Sequence, residues 1–173
     1  MDSSIKGQEM VSMEATARII LIGAGATAVM DLWGLVQKGL GIPTLSYGLV
    51  GRWAGHLRRG KFAHANIGWA EPIAGEVPLG WAIHYTVGIV FAALLACVQG
   101  EAWLRNPTWL PALAVGVATV VIPFFVMQPA MGLGLAAARA PSPRKARARS
   151  LATHAVFGCG LYLSAVLLQQ VWE

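Results

Sequence analysis

Charged residues are scarce in this chain. Lys, Arg, Asp and Glu make up 12% of its 173 residues, about half the share in an average soluble domain. Only eight residues are acidic. So little charge does not suit a water-soluble enzyme of this length, and soluble catalysis is excluded. Cysteine is scarce as well. Cys97 and Cys159 both sit inside apolar blocks and no CxxC spacing occurs, which argues against a disulfide framework and for two small apolar packing residues. The haem-attachment pattern CxxCH and the zinc motif HExxH are absent. The amino end, MDSSIKGQEMVSMEATAR, lacks a basic n-region and a cleavage pattern, so no removable signal peptide is expected.

What remains is apolar. Hydrophobic residues make up 56% of the chain, and the mean hydropathy is +0.58. They fall into four blocks, from about Ala15 to Lys38, Pro78 to Gly100, Trp109 to about Ala130, and Leu151 to Trp172. Each block reaches the roughly 20 residues that cross about 30 Å of hydrocarbon. The expected fold class is an all-α membrane protein of four transmembrane helices, forming one domain over residues 1–173 with loops at 39–77 and 131–150.

One stretch tests that reading. In IILIGAGATAVMD, Gly23, Gly25 and Ala28 satisfy the G-x-G-x-x-G/A dinucleotide fingerprint. That fingerprint requires a following strand and an acidic residue about 20 positions on. Here Lys38, GIPTLSYG and a basic segment follow instead. Small residues for close helix packing in a membrane are the better explanation.

Net charge is +5 and the isoelectric point about 9.7. In a soluble protein this would suggest nucleic acid, but membrane topology explains it more simply. Lys38, Arg52, Arg58, Arg59 and Lys61 flank the first loop, and Arg139, Arg144, Lys145, Arg147 and Arg149 fill the third. Only Lys6, Arg18 and Arg105 lie on the other side. The positive-inside rule therefore places both basic loops in the cytoplasm and both termini outside. Trp33 and Trp81 mark the inner boundary; Trp103, Trp109 and Trp172 mark the outer one. The expected partners are the bilayer and, at the basic loops, anionic lipid, with no nucleic acid.

In YGLVGRWAGHLRRGKF, Leu49, Val50, Trp53 and Leu57 share one helical face, and Arg52, His56 and Arg59 another. This predicts a short amphipathic helix lying in the inner interface on anionic lipid. HANIGWAEPIAGEVPLG, with Glu71 and Glu76 among turn residues, is expected to be irregular and folded back near the membrane. RAPSPRKARARS is expected to be a mobile basic linker.

The second and fourth spans both carry A-x-H-x-x-x-G near their inner ends, Ala82-x-His84-x3-Gly88 and Ala152-x-His154-x3-Gly158. The first and third agree more loosely, at Thr27 and Thr119. A duplicated two-helix unit follows, with parallel copies about an axis along the membrane normal. His84 and His154 would then be symmetry mates, able to face each other across the bundle. Each span also places one polar residue in the cytoplasmic half: Asp31, His84, Gln128 and His154. An ionisable group there costs about 2.5–3.5 kcal/mol on insertion scales and needs a partner or a job. Gly23, Thr27 and Asp31 recur every four residues, so Asp31 should point into the bundle. Two readings follow. One is a structural network in which Asp31 pairs with a histidine. The other is a polar site open to the cytoplasm and roofed by His56, His64, Glu71 and Glu76. Pro123 and Gln128-Pro129 favour the second by interrupting the third span.

GATAVMDLWG, GRW-x2-H (Gly51 to His56), GE-x3-GW-x2-HY (Gly75 to Tyr85), PFFVMQP-x2-G-x-G (Pro123 to Gly134) and H-x3-G-x2-LYL (His154 to Leu163) run through nearly the whole chain. Together they resemble a bacterial family of small multi-pass membrane proteins known only as a domain of unknown function. The resemblance implies an inner-membrane location and supplies no catalytic residues to carry over. Its motifs contain Asp31, His56, Glu76, His84, Gln128 and His154, the same set selected by polarity as ligand-binding. The leading expectation is a metal ion or small ligand at this site, with His84 and His154 holding a transition metal or haem. The alternatives are a component of proton-coupled transport, for which four spans suggest a dimer, and a structural subunit of a membrane complex. An enzymatic role is not favoured.

Overall fold

The computed structural model describes the backbone of residues 2–172 and the side chains from residue 13 to 172. Lys6, one of the three basic residues assigned to the outer side, therefore lies outside the described side chains. Every regular element among the described residues is helical. Gly23 to Ala28 is helical, as expected, and no strand-and-turn fingerprint: the segment is continuous helix within α1 (Asp2–Gly39). A helix of the first loop, α2 (Tyr47–Leu57), is followed by α3 (Glu76–Gln99), a short α4 (Ala102–Arg105), α5 (Trp109–Ala118), α6 (Gln128–Ala130) and α7 (Pro143–Trp172); the end of the bundle that carries this loop is called its inner end, after the expectation from charge. Four segments are long and apolar enough to cross a membrane: Met13–Gly39, Glu76–Gln99, Trp109–Ala130 and Pro143–Trp172.

The spans pack by their smallest residues. A Cβ at Gly23 would overlap the backbone of Ile89, and one at Gly88 would overlap Thr27, which closes α1 on α3. Gly25 and Ala26 face Ser164 and Gly160 and close α1 on α7. A Cβ at Gly116 would overlap Gly158 Cα, which closes α5 on α7. The order around the bundle is thus α3, α1, α7, α5, with α3 and α5 in slight contact and α3 and α7 diagonal. Lipid tails are as apolar as leucine, so close backbone approach with its dispersion contacts replaces the hydrophobic drive of a soluble core. Ile22, Leu95, Phe157 and Leu161 fill what the glycines leave.

The third span is broken as its prolines require. Pro123 has no N–H for the carbonyl of Thr119, which instead accepts from Ile122 N at 3.1 Å. A π-helical stretch, Pro123–Met127, follows and leads into α6.

Two inner segments differ from expectation. The amphipathic helix α2 does not present Arg52 and His56 outward. It packs on the start of α3 so closely that a Cβ at Gly51 would overlap Glu76 O and one at Gly80 would overlap Tyr47 O. Val50 and His56 are both buried. Glycines along α2 give it a second packing face that helical-wheel polarity hides. The basic segment after residue 140 is also no linker, because α7 begins at Pro143 and holds Arg144, Lys145, Arg147 and Arg149 in helix. Proline at a first helical position and alanine between the cations favour this. The 61–75 segment is irregular and folded back, as expected. His64 N donates to Ala130 O at 2.8 Å and Ile67 N to Met131 O at 3.1 Å, which ties it to the third span.

The glycine seams can be tested directly. Gly116→Val should lower stability in detergent by about 1–3 kcal/mol through overpacking. Gly34→Ala, whose Cβ would meet nothing within 4 Å, should be neutral or stabilising by about 0.5–1 kcal/mol. Thermal unfolding of the two variants beside the parent reads both.

Candidate functional site

Asp31 lies one turn beyond Thr27 on the α1 face that meets α3. Its carboxylate collects three donors. His84 Nε2 lies 3.0 Å from Oδ1, Tyr47 donates its hydroxyl to Oδ1 at 3.1 Å, and Tyr85 donates to Oδ2 at 3.1 Å. Because α1 and α3 run antiparallel through the Thr27–Gly88 contact, a step of one turn along each brings Asp31 to His84. The His84 side chain is 13% exposed and that of Asp31 17%. The Tyr47 ring stacks on the imidazole, with centroids 4.0 Å apart and planes at 23°, and Trp81 packs on Tyr47 at 4.5 Å. Burial, with the charge and hydrogen bond of Asp31, raises the Tyr47 phenol above its ordinary pKa, so it stays a donor. The arrangement can hold a carboxylate in a poor solvent, share one proton between Asp31 and His84, and register that proton in the position of α2 through Tyr47.

His154 belongs to a different group. Its Nδ1 lies 2.7 Å from Thr119 Oγ1, and Thr119 donates its single hydroxyl proton to Gly116 O at 2.6 Å. The threonine therefore accepts from His154 Nδ1–H. No hydrogen bond or ring contact joins His84 to His154 among the described residues. Nor, among them, does any group of three or more His, Cys, Asp or Glu side chains stand close enough to hold a metal ion. The facing arrangement expected of the two imidazoles is thus not formed. Gly88 and Gly158 turn their helices toward the preceding span, and the histidine one turn earlier shares that face. The Asp31 cluster and the His154–Thr119 pair are separate polar groups.

Glu76 and His56 anchor the inner loop. Arg52 makes a two-pronged bridge to Glu76, at 2.8 Å from Nε and 2.7 Å from Nη2. Its remaining nitrogen reaches Ile67 O at 3.5 Å, Gly68 O at 3.3 Å and Ala70 O at 3.1 Å. Glu76 also accepts from Ile73 N at 3.2 Å. His56 binds His64 at 2.7 Å. The Glu71 side chain points away, to Arg59 at 3.6 Å, and both side chains are exposed. Gln128 donates to Ser150 Oγ at 3.3 Å, and its Oε1 is buried without a partner. Of the six candidate residues, Asp31 and His84 meet directly. His56 lies on α2 and Glu76 is bonded to that helix through Arg52, and Gln128 and His154 lie with the third and fourth spans.

Sequence reasoning missed Tyr47, Tyr85 and Thr119. A signal was present for the first two. The chain has three tyrosines, and a scarce phenol beside a buried acid is a donor worth pairing. Tyr85 directly follows His84 in a quoted motif.

No curated protein and no solved structure matches the chain. A family described as a protein of unknown function, DUF2938, matches residues 20–168. That stretch takes in both polar groups, the packed first loop and most of the four helices long and apolar enough to cross a membrane, and the chain belongs to this family.

Proposed function

We propose that this protein handles protons as a component of membrane transport, with Asp31 as the proton-binding group. The single observation that carries this is the convergence of His84, Tyr47 and Tyr85 on one carboxylate inside a span. Intramembrane carboxylates paired with histidine are the usual material of proton relays. As a carboxylate, Asp31 accepts all three donors. Once protonated it gains a donor and keeps less acceptor capacity, so the arrangement of three donors has to change. Tyr47 sits on α2, so the inner loop feels the proton. The site would lie in the cytoplasmic half of a bacterial inner-membrane protein with both termini outside, supported by ten basic residues at the inner ends. Anionic lipid would meet those residues, and a homodimer would supply the path that four spans are too few to enclose.

The local packing also supports duplication. In each half a glycine seam joins the two helices, and the histidine four residues before the second-helix glycine bonds the first helix. By position, Thr119 plays the part of Asp31, not that of Thr27.

One observation favours the metal or small-ligand reading as a second possibility for the histidines. Each uses a single ring nitrogen, His84 Nε2 and His154 Nδ1, and among the described residues the other takes no hydrogen bond. Near-stoichiometric metal or a Soret band in purified protein, lost in the His84→Ala/His154→Ala double variant, would establish it. A colourless, metal-free parent that folds as well as the variant would remove it.

Proton handling is tested in liposomes carrying a pH dye. An imposed gradient should acidify the lumen faster with the parent protein than with Asp31→Asn, and the infrared carboxylic C=O band that titrates in the parent should vanish in the variant. Equal flux and unchanged spectra would end this reading. Orientation is tested separately with single-cysteine variants in a background lacking Cys97 and Cys159. In intact cells an impermeant maleimide should label Glu101→Cys and leave Arg59→Cys unlabelled; the reverse pattern inverts the topology.

A further inference from the structure

Two buried imidazoles outside the spans remain without a role. His56 on α2 and His64 on the loop are 5% and 7% exposed, and their rings join through His56 Nδ1 and His64 Nε2 at 2.7 Å. The protons in this chain can be assigned from its ends. His56 Nε2 lies 3.0 Å from Glu71 O, which can only accept, so that nitrogen carries hydrogen. The neutral His56 then presents a lone pair at Nδ1, and His64 must donate to it from Nε2. This leaves His64 Nδ1 as a bare lone pair, buried and with no hydrogen-bond partner among the described residues. A buried acceptor without a donor is rare and calls for an explanation.

The pair sits where the inner loop docks. His64 N and Ile67 N donate to Ala130 O and Met131 O at the inner end of the third span. Gly132, at φ +96°, makes room there, since a Cβ would overlap Ala65 O. We propose that His56 and His64 form a proton-operated latch that holds the inner loop on the third span when both rings are neutral and releases it on acidification. The first proton has one place to go, His64 Nδ1, which is buried; the carbonyl in reach, Ala130 O, already accepts from the His64 backbone N–H, and its smaller pull does not offset the burial. A second could enter only at His56 Nδ1, directly opposite the His64 N–H, and would break the bond between the rings. Either event favours moving the loop into water.

The surroundings oppose protonation. Burial first, then the charge of Lys61, then His56, lowers the His64 pKa. From α2 itself Arg52 is taken up by Glu76, and Arg59 bridges the Glu71 side chain. Glu76, at the start of α3, is the acidic group nearest in effect. The third span contributes Ala130 and Met131, which carry no charge. A histidine whose folded pKa lies below its unfolded value of about 6.5 stabilises the docked state fully above that pH. The contribution is lost as pH falls from there toward the folded value. The inference does not rest on proton binding at Asp31, although release of α2 would withdraw Tyr47 from that carboxylate.

The test is amide hydrogen exchange of His64 and Ile67 in the full-length protein in detergent, corrected for intrinsic rates. Between about pH 7.5 and about pH 5.5, across the ordinary histidine range, protection should fall by about tenfold or more. His64→Gln, whose amide can still donate to His56 Nδ1 but cannot take up a proton, should lose clearly less protection than the parent over the same range. Parent protection that does not change with pH, or a variant that keeps the parent's pH dependence, would overturn the latch. A variant that fails to dock leaves the decision to nitrogen-15 histidine spectra of the parent. Both rings should be protonated at Nε2 near neutral pH; hydrogen on His64 Nδ1 there would overturn it equally. Asp31→Asn should leave the acid release intact, which separates this outcome from the fate of the proton-transport reading.

Discussion

A carboxylate placed inside a membrane helix has to bring its own solvent, and much of this structure follows from how Asp31 does so. Water would have offered donors to every lone pair; the bundle offers three side chains from two other helices. They can reach it only if α1 and α3 come close enough for backbone to touch backbone. Gly23 and Gly88 are therefore part of the polar site, although neither has a side chain. The same holds for α2, whose Tyr47 reaches Asp31 because Gly51 and Gly80 let that helix lie directly on α3.

The second half of the bundle shows what happens when the acid is absent. His154 finds Thr119, and Thr119 finds a carbonyl of its own helix. That network is neutral, short and closed within two helices. Similar glycine seams thus carry two different polar contents. A shared scaffold with one charged and one neutral copy is how a duplicated unit would divide structural and chemical duties. The π-helical break after Pro123 adds to the asymmetry, since α1 runs unbroken through the same depth.

The four spans were legible in the sequence because hydrocarbon thickness sets their length and small residues set their seams. Asp31 was legible for the same reason, through its four-residue spacing from Gly23 and Thr27. The partner of each histidine was not. A-x-H-x3-G says that histidine and glycine share a face, but not which neighbour that face meets. Helical-wheel polarity also assigned Arg52 and His56 to lipid, where the folded chain turns both inward. Nothing local separates an arginine that meets a headgroup from one that meets Glu76 and three loop carbonyls. That distinction is tertiary, and only the overlap-free glycines of α2 hinted at it.

The inner loop is where these parts meet. α2 carries Tyr47 toward Asp31, Arg52 toward Glu76 and His56 toward His64, at intervals of five and four residues along one helix. A rigid helix cannot move one of these without straining the others. Arg52–Glu76 does not titrate near neutral pH and serves as the fixed point. The Asp31 cluster and the buried imidazole pair lie on opposite sides of that fixed point, so both take their place from one short helix.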